Sequence, residues 1–129
     1  MEARVRTFVR ERALNRCEYC EREQATSPLI RLQIEHIIPI KHGGGDESEN
    51  LALACVECNL KKSSDLAGID PETNMLTPLF HPRRDQWEDH FTWNGLRIVG
   101  LTSVGRTTVR VLDLNSTARL RVRLATGRK

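Results

Sequence analysis

Aromatic residues are scarce in this chain, with three Phe, two Trp and one Tyr among 129 residues. With 39% hydrophobic content the apolar core is modest, and a scaffold of this size gains from a metal staple. No apolar run approaches the roughly 20 residues needed to cross a bilayer, so a membrane-spanning helix is excluded. The basic stretch from Met1 to Arg12 lacks the apolar h-region of a secretory signal. The expectation is a cytoplasmic protein, in reducing surroundings where cysteines read as metal ligands before disulfides. There is no internal repeat and no low-complexity linker, and the length suits a single domain over residues 1–129.

Charge of one sign does not dominate, since the formal net charge is +3. Its distribution is uneven. Residues 1–16 hold five Arg and two Glu, and residues 116–129 hold four Arg and one Lys with no acid. The stretch between them carries ten basic and fifteen acidic residues. Basic ends around a more acidic centre are compatible with a polyanion crossing the molecule, and equally with two solvated ends.

Val5, Phe8, Val9 and Ala13 recur at helical spacing, which predicts an amphipathic helix delivering the chain to Cys17. Residues 32–38 have strand character and stop at Pro39, and Gly43-Gly44-Gly45-Asp46 is a flexible turn. Leu51 to Ala54 reads as a second strand, and Val56 to about Leu66 as a helix. Asp70-Pro71, Pro78 and Pro82 mark an irregular connection. Phe91-Thr92-Trp93 and Leu96-Arg97-Ile98 flank Asn94-Gly95, a hairpin signal of the type I′ kind, and a helix follows over Val104 to Leu112. In the tail, Leu120, Val122 and Leu124 alternate with arginines as in a strand, whereas Asn115-Ser116 offers a helix cap; helix is the favoured reading. The class is α+β.

What the chain does have is two CxxC pairs, Cys17/Cys20 and Cys55/Cys58. Tetrahedral Zn²⁺ takes four soft donors at ~2.3 Å, and each CxxC turn presents two of them. A closed four-thiolate site has no open position for substrate, so its role is structural. Two disulfides or free core thiols are the alternatives. The gap between the pairs holds an insert that includes Glu35 and His36.

Cys58 and Asn59 are neighbours on the predicted helix and diverge by about 100°. Ser63 shares the Asn59 face, and Lys62 lies over Cys58 and near Asn59. One helix can thus serve two sites. Taken singly, His36, Asn50, Asn59 and Lys62 are ordinary residues, and His42, His81, His90, Trp87 and Trp93 read as structural.

The tract Glu35-His36-Ile37-Ile38-Pro39, Gly43-Gly44, Asn50-Leu51, Cys55-x-x-Cys58-Asn59 and Lys62 resembles the HNH endonuclease family. The resemblance spans about residues 12–66, with an extension over about 70–129 that is similar to small stand-alone bacterial members. It implies a ββα-metal (His-Me finger) core with zinc knuckles, an N-terminal helix and a C-terminal hairpin-plus-helix extension. It implies His36 as general base, Asn50 as the middle letter, Asn59 in place of the last His, and Glu35 as the metal ligand preceding the base. It matches the four cysteines to a structural zinc.

A neutral imidazole can take a proton from water near neutral pH. A cation on Glu35 and Asn59 would bind the phosphate and the leaving oxygen. An all-oxygen donor set favours Mg²⁺ or Mn²⁺ over Zn²⁺. Asn50 would hydrogen-bond backbone near His36 and fix the ring. In an ideal strand, however, Glu35 and His36 point to opposite faces. Phosphate contacts are expected from Lys61, Lys62, Ser63, Arg12 and Arg16, and from the basic ends. The expected function is DNA phosphodiester hydrolysis by a monomer or homodimer, with RNA not excluded as substrate. The alternatives are a non-catalytic zinc-stapled nucleic-acid-binding module and a structural zinc domain for protein partners.

Overall fold

The computed structural model describes residues 1–127; the last two basic residues of the tail, Arg128 and Lys129, lie outside the described residues. The fold is α+β and packs as two compact units. The first comprises Met1–Ser64 with His81–Arg84, the second Asp65–Phe80 with the residues from Asp85 onward.

In the first unit, helix α1 (Ala3–Arg12) buries Val9 completely and is followed by buried Ala13. Phe8, expected on the same apolar face, is instead 50% exposed and lies under the Arg12 guanidinium, 5.0 Å from its ring centre. Leu14 and Asn15 take positive φ and end the helix, and the chain turns into the first cysteine pair. Strand β1 (Gln33–His36) then pairs antiparallel with β2 (Leu51–Ala54), Glu35 opposite Ala52 and His36 opposite Leu51. All of β2 is buried, which suits its apolar run.

Helix α2 (Val56–Lys62) follows at once, capped by the Cys55 sulfur, which accepts from the Cys58 N–H. It is shorter than expected, because Ser63 adopts φ 48° and leaves the helix. The order strand, long loop, strand, helix is the arrangement the sequence pattern called for.

In the second unit, β3 (Ala67–Ile69) and β4 (Leu76–Pro78) form a hairpin where an irregular connection was expected. Its prolines do not interrupt the ladder. Pro71 lies in the turn and Pro78 is the last residue of its strand, positions that proline tolerates. The Asp70 carboxylate organises the turn, accepting from the Glu72 N–H and the Thr73 hydroxyl at 3.0 Å each.

Helix α3 (Trp87–His90) is a single turn leading into the hairpin of β5 (Phe91–Asn94) and β6 (Arg97–Gly100). The two-residue loop is Gly95-Leu96, and of these only Gly95 has positive φ, so the turn is not type I′. Helix α4 (Ser103–Val111) is capped by Thr102, and α5 (Thr117–Ala125) by Ser116. The tail is therefore helical. Two of its arginines turn inward: Arg119 is buried and donates to the Leu112 carbonyl, and Arg123 donates to Leu96 and Leu114 carbonyls. They are not a solvated basic end.

Candidate active site and metal cage

All elements of interest belong to the first unit. The four sulfurs of Cys17, Cys20, Cys55 and Cys58 lie within 4.8 Å of one another, and all four residues are buried. A tetrahedron of ~2.3 Å bonds has S···S edges of about 3.8 Å, and Cys20 and Cys55 are 3.7 Å apart. In each pair the second N–H points at the first sulfur, Cys20 to Cys17 at 3.5 Å and Cys58 to Cys55 at 3.4 Å. No disulfide joins any of the four. Burial pushes the Cys17 and Cys58 thiols well up, an opposition to ionisation that a bound cation would offset. These residues fit a metal such as zinc.

The first knuckle is tied to β2. The Glu18 N–H donates to the Leu53 carbonyl and the Leu53 N–H to the Glu18 carboxylate, each at 2.8 Å, and Arg83 holds the other Glu18 oxygen.

His36 ends β1 half-buried, with Nε2 2.6 Å from an Asp46 carboxylate oxygen. That bond holds the Asp46 carboxyl below its ordinary range. A carboxylate only accepts, so Nε2 is the donor in this bond, and in a neutral ring Nδ1 is the acceptor. Asn50 clasps the loop between them. Its Oδ1 accepts from the Ile38 N–H at 2.8 Å, and its Nδ2 donates to the Ile38 and Gly45 carbonyls at 3.0 and 2.9 Å. A Cβ on Gly44 would collide with the Ile38 carbonyl oxygen, so the clasp closes only over glycine.

Glu35, the expected cation ligand, lies buried at the foot of the strand–helix seam. Its side chain is 4% exposed, held by the Tyr19 hydroxyl on one oxygen and by Lys62 Nζ at 3.2 Å on the other. Burial raises its pKa, with Lys62 and the Tyr19 bond opposing the rise.

Lys62, expected at the phosphate, has a side chain that is 2% exposed, and besides Glu35 it donates to the Ile37 carbonyl at 2.9 Å. Alternation along β1 explains both. Gln33 and Glu35 share the face covered by α2, where Gln33 accepts from Asn59 at 2.6 Å and Glu35 meets Lys62. His36 projects from the other face.

The structure therefore brings Glu35 and Asn59 to one strand–helix seam, and His36 with Asn50 to the adjoining loop. Among the other expected phosphate contacts, Arg12 spends its guanidinium on the Ser48 and Leu51 carbonyls, while Arg16 is half-buried and bridges Glu23 through backbone. Lys61 and Ser63 are exposed.

Sequence reasoning passed over two participants, Asp46 and Tyr19. The available signals were an acid closing the glycine run ten residues after His36, and an aromatic inside the first CxxC.

Residues 17–65 match the model of the HNH endonuclease family. That stretch, which carries the cage, both strands and α2, is similar to the HNH endonuclease family over less than half of the chain. No curated protein matches the chain, and neither does any solved structure.

Proposed function

We propose that this protein is a metal-dependent HNH endonuclease that hydrolyses DNA phosphodiester bonds. The observation that carries the reading is the His36–Asp46 pair at the mouth of the hairpin loop, inside the family match. With Asp46 on Nε2–H, His36 presents Nδ1 to a water and takes its proton as the oxygen attacks phosphorus, while the P–O bond to the leaving ester oxygen breaks and that oxygen is protonated from solvent. Asp46 stabilises the resulting imidazolium, and Asn50 keeps the loop from swinging the ring away. Zinc on the four cysteines would supply rigidity by tying the turn that follows α1 to the start of α2.

DNA as substrate, and Mg²⁺ or Mn²⁺ as second metal, rest on the family resemblance. Glu35 and Asn59 offer oxygens of the right hardness. As placed, they do not form a seat for that cation, because Tyr19 and Lys62 occupy both Glu35 oxygens. Lys62 has to release the carboxylate before a cation can use it. That same lock favours the second reading, a zinc-stapled module that binds nucleic acid without cutting it.

A supercoiled-plasmid assay across a divalent-metal series separates the two. Zinc-loaded wild type is expected to nick in Mg²⁺ or Mn²⁺ and to be inert without them, and His36→Ala to be inert throughout. Binding by both proteins with cleavage by neither establishes the module.

A further inference from the structure

In the first unit a groove of about 620 Å³ runs between α1 and the segment entering β1. A second, of about 310 Å³, shares Gln33 and Val56 with it and reaches Asn59 and Ser63. No carboxylate lines either one.

Three arginines do. Arg6 and Arg10 are one helical turn apart on α1, and Arg31 stands just before β1. Arg10 is fixed by donating to the Leu32 carbonyl at 2.8 Å. Its guanidinium is held below its usual pKa by burial first, and then by repulsion from Arg31 and Arg6. Elsewhere in this unit Arg4, Arg22 and Arg83 each hold a carboxylate. Among the described residues Arg6 and Arg31 hold none.

Three like charges gathered without a counter-ion cost free energy that a bound anion offsets. Beside them Leu29 is 98% exposed and Ile30 54%, an apolar strip that suits sugar faces.

We propose that this groove carries the phosphate backbone of the nucleic acid beyond the cut site, with Arg6 and Arg31 as phosphate contacts and Arg10 as the fixed cation between them. The charge complementarity is that of a polyanion, and the groove's far end is Asn59, at the seam of the candidate site. The identity of the polyanion rests on the function proposed above.

The test uses the full zinc-loaded chain in the His36→Ala background and a labelled duplex longer than the groove, with affinity read by anisotropy across a salt series. Arg6→Ala/Arg31→Ala is expected to weaken binding alike on unrelated sequences. It should also flatten the slope of log K against log salt by about 1.8, two phosphate contacts' worth. Arg6→Lys/Arg31→Lys keeps the slope. Arg97→Ala/Arg110→Ala, an equal loss of exposed charge in the second unit, leaves it unchanged.

An Arg6→Ala/Arg31→Ala slope equal to the parent's, or a loss matched by the Arg97/Arg110 control, overturns the proposal. So does a loss seen only with a polyglutamate peptide, which would make the groove a protein-docking site. A wild type that never cuts yet depends on Arg6 and Arg31 for binding ends the nuclease reading and keeps the groove. Cleavage with an unchanged slope ends the groove alone.

Discussion

Lys62→Met should destabilise the first unit severely, and the structure says why. Glu35 and Lys62 are 4% and 2% exposed, and among the described residues the Lys62 ammonium is the cation paired with that carboxylate. Removing one partner of a buried pair leaves the other charge uncompensated, a loss of about 3–5 kcal/mol. That is about a fifth or more of the roughly 5–15 kcal/mol that stabilises a typical domain. Glu35→Gln/Lys62→Met removes both charges and should recover most of the loss.

The pH dependence carries a definite sign. The folded Glu35 pKa lies above its unfolded value, so the folded state binds the proton more tightly, and stability falls as pH rises through that window. Without Lys62, which opposes the rise, the window extends further upward. The penalty of Lys62→Met should therefore be smaller near about pH 5.5 than near about pH 8. Urea denaturation of wild type, both single variants and the double variant, in excess Zn²⁺ at both pH values, measures this directly. A Lys62→Met stability within about 0.5 kcal/mol of wild type, as for an exposed residue, together with weaker DNA binding, would return Lys62 to the phosphate-contact role that its sequence position suggested.

Other outcomes follow from the same geometry. Asp46→Ala should lower the cleavage rate about tenfold with little change in binding, and Asp46→Glu should restore part of it; single-turnover kinetics reads both. Gly44→Ala should cost about 1–3 kcal/mol by forcing the Ile38–Asn50 clasp apart, and it should slow cleavage as well; thermal melts and the plasmid assay check the two effects. One zinc per chain should be found by elemental analysis, lost in Cys58→Ser along with a cooperative unfolding transition. Retention of a full zinc complement by Cys58→Ser would contradict the four-sulfur cage.

The hairpin, α2 and both CxxC knuckles could be read from the chain because each is a local signal: a short apolar run, a cap, a fixed spacing. Ser116 likewise settled the tail as a helix, since a cap adjacent in sequence acts before any tertiary contact. What escaped was long-range. Tyr19 reaches Glu35 across 16 positions and Arg83 reaches Glu18 across 65, and no periodicity announces such pairs.

The burial of Lys62 was not legible because lysine at a helix end is usually solvated; the packing of α2 on the Glu35 face of β1 buries it. The β3–β4 hairpin was missed because its prolines read as breaks. In the fold they sit where a strand can spare an N–H. The sequence did foreshadow the opposite facing of Glu35 and His36, through strand alternation alone.

The most direct test of the account is the single-turnover rate at which zinc-loaded wild type and His36→Ala cut a labelled duplex in Mg²⁺, with binding measured on the same samples. The account predicts a rate at least about 100-fold lower for His36→Ala at unchanged affinity. Equal rates would remove His36 from the chemistry and the proposed mechanism with it.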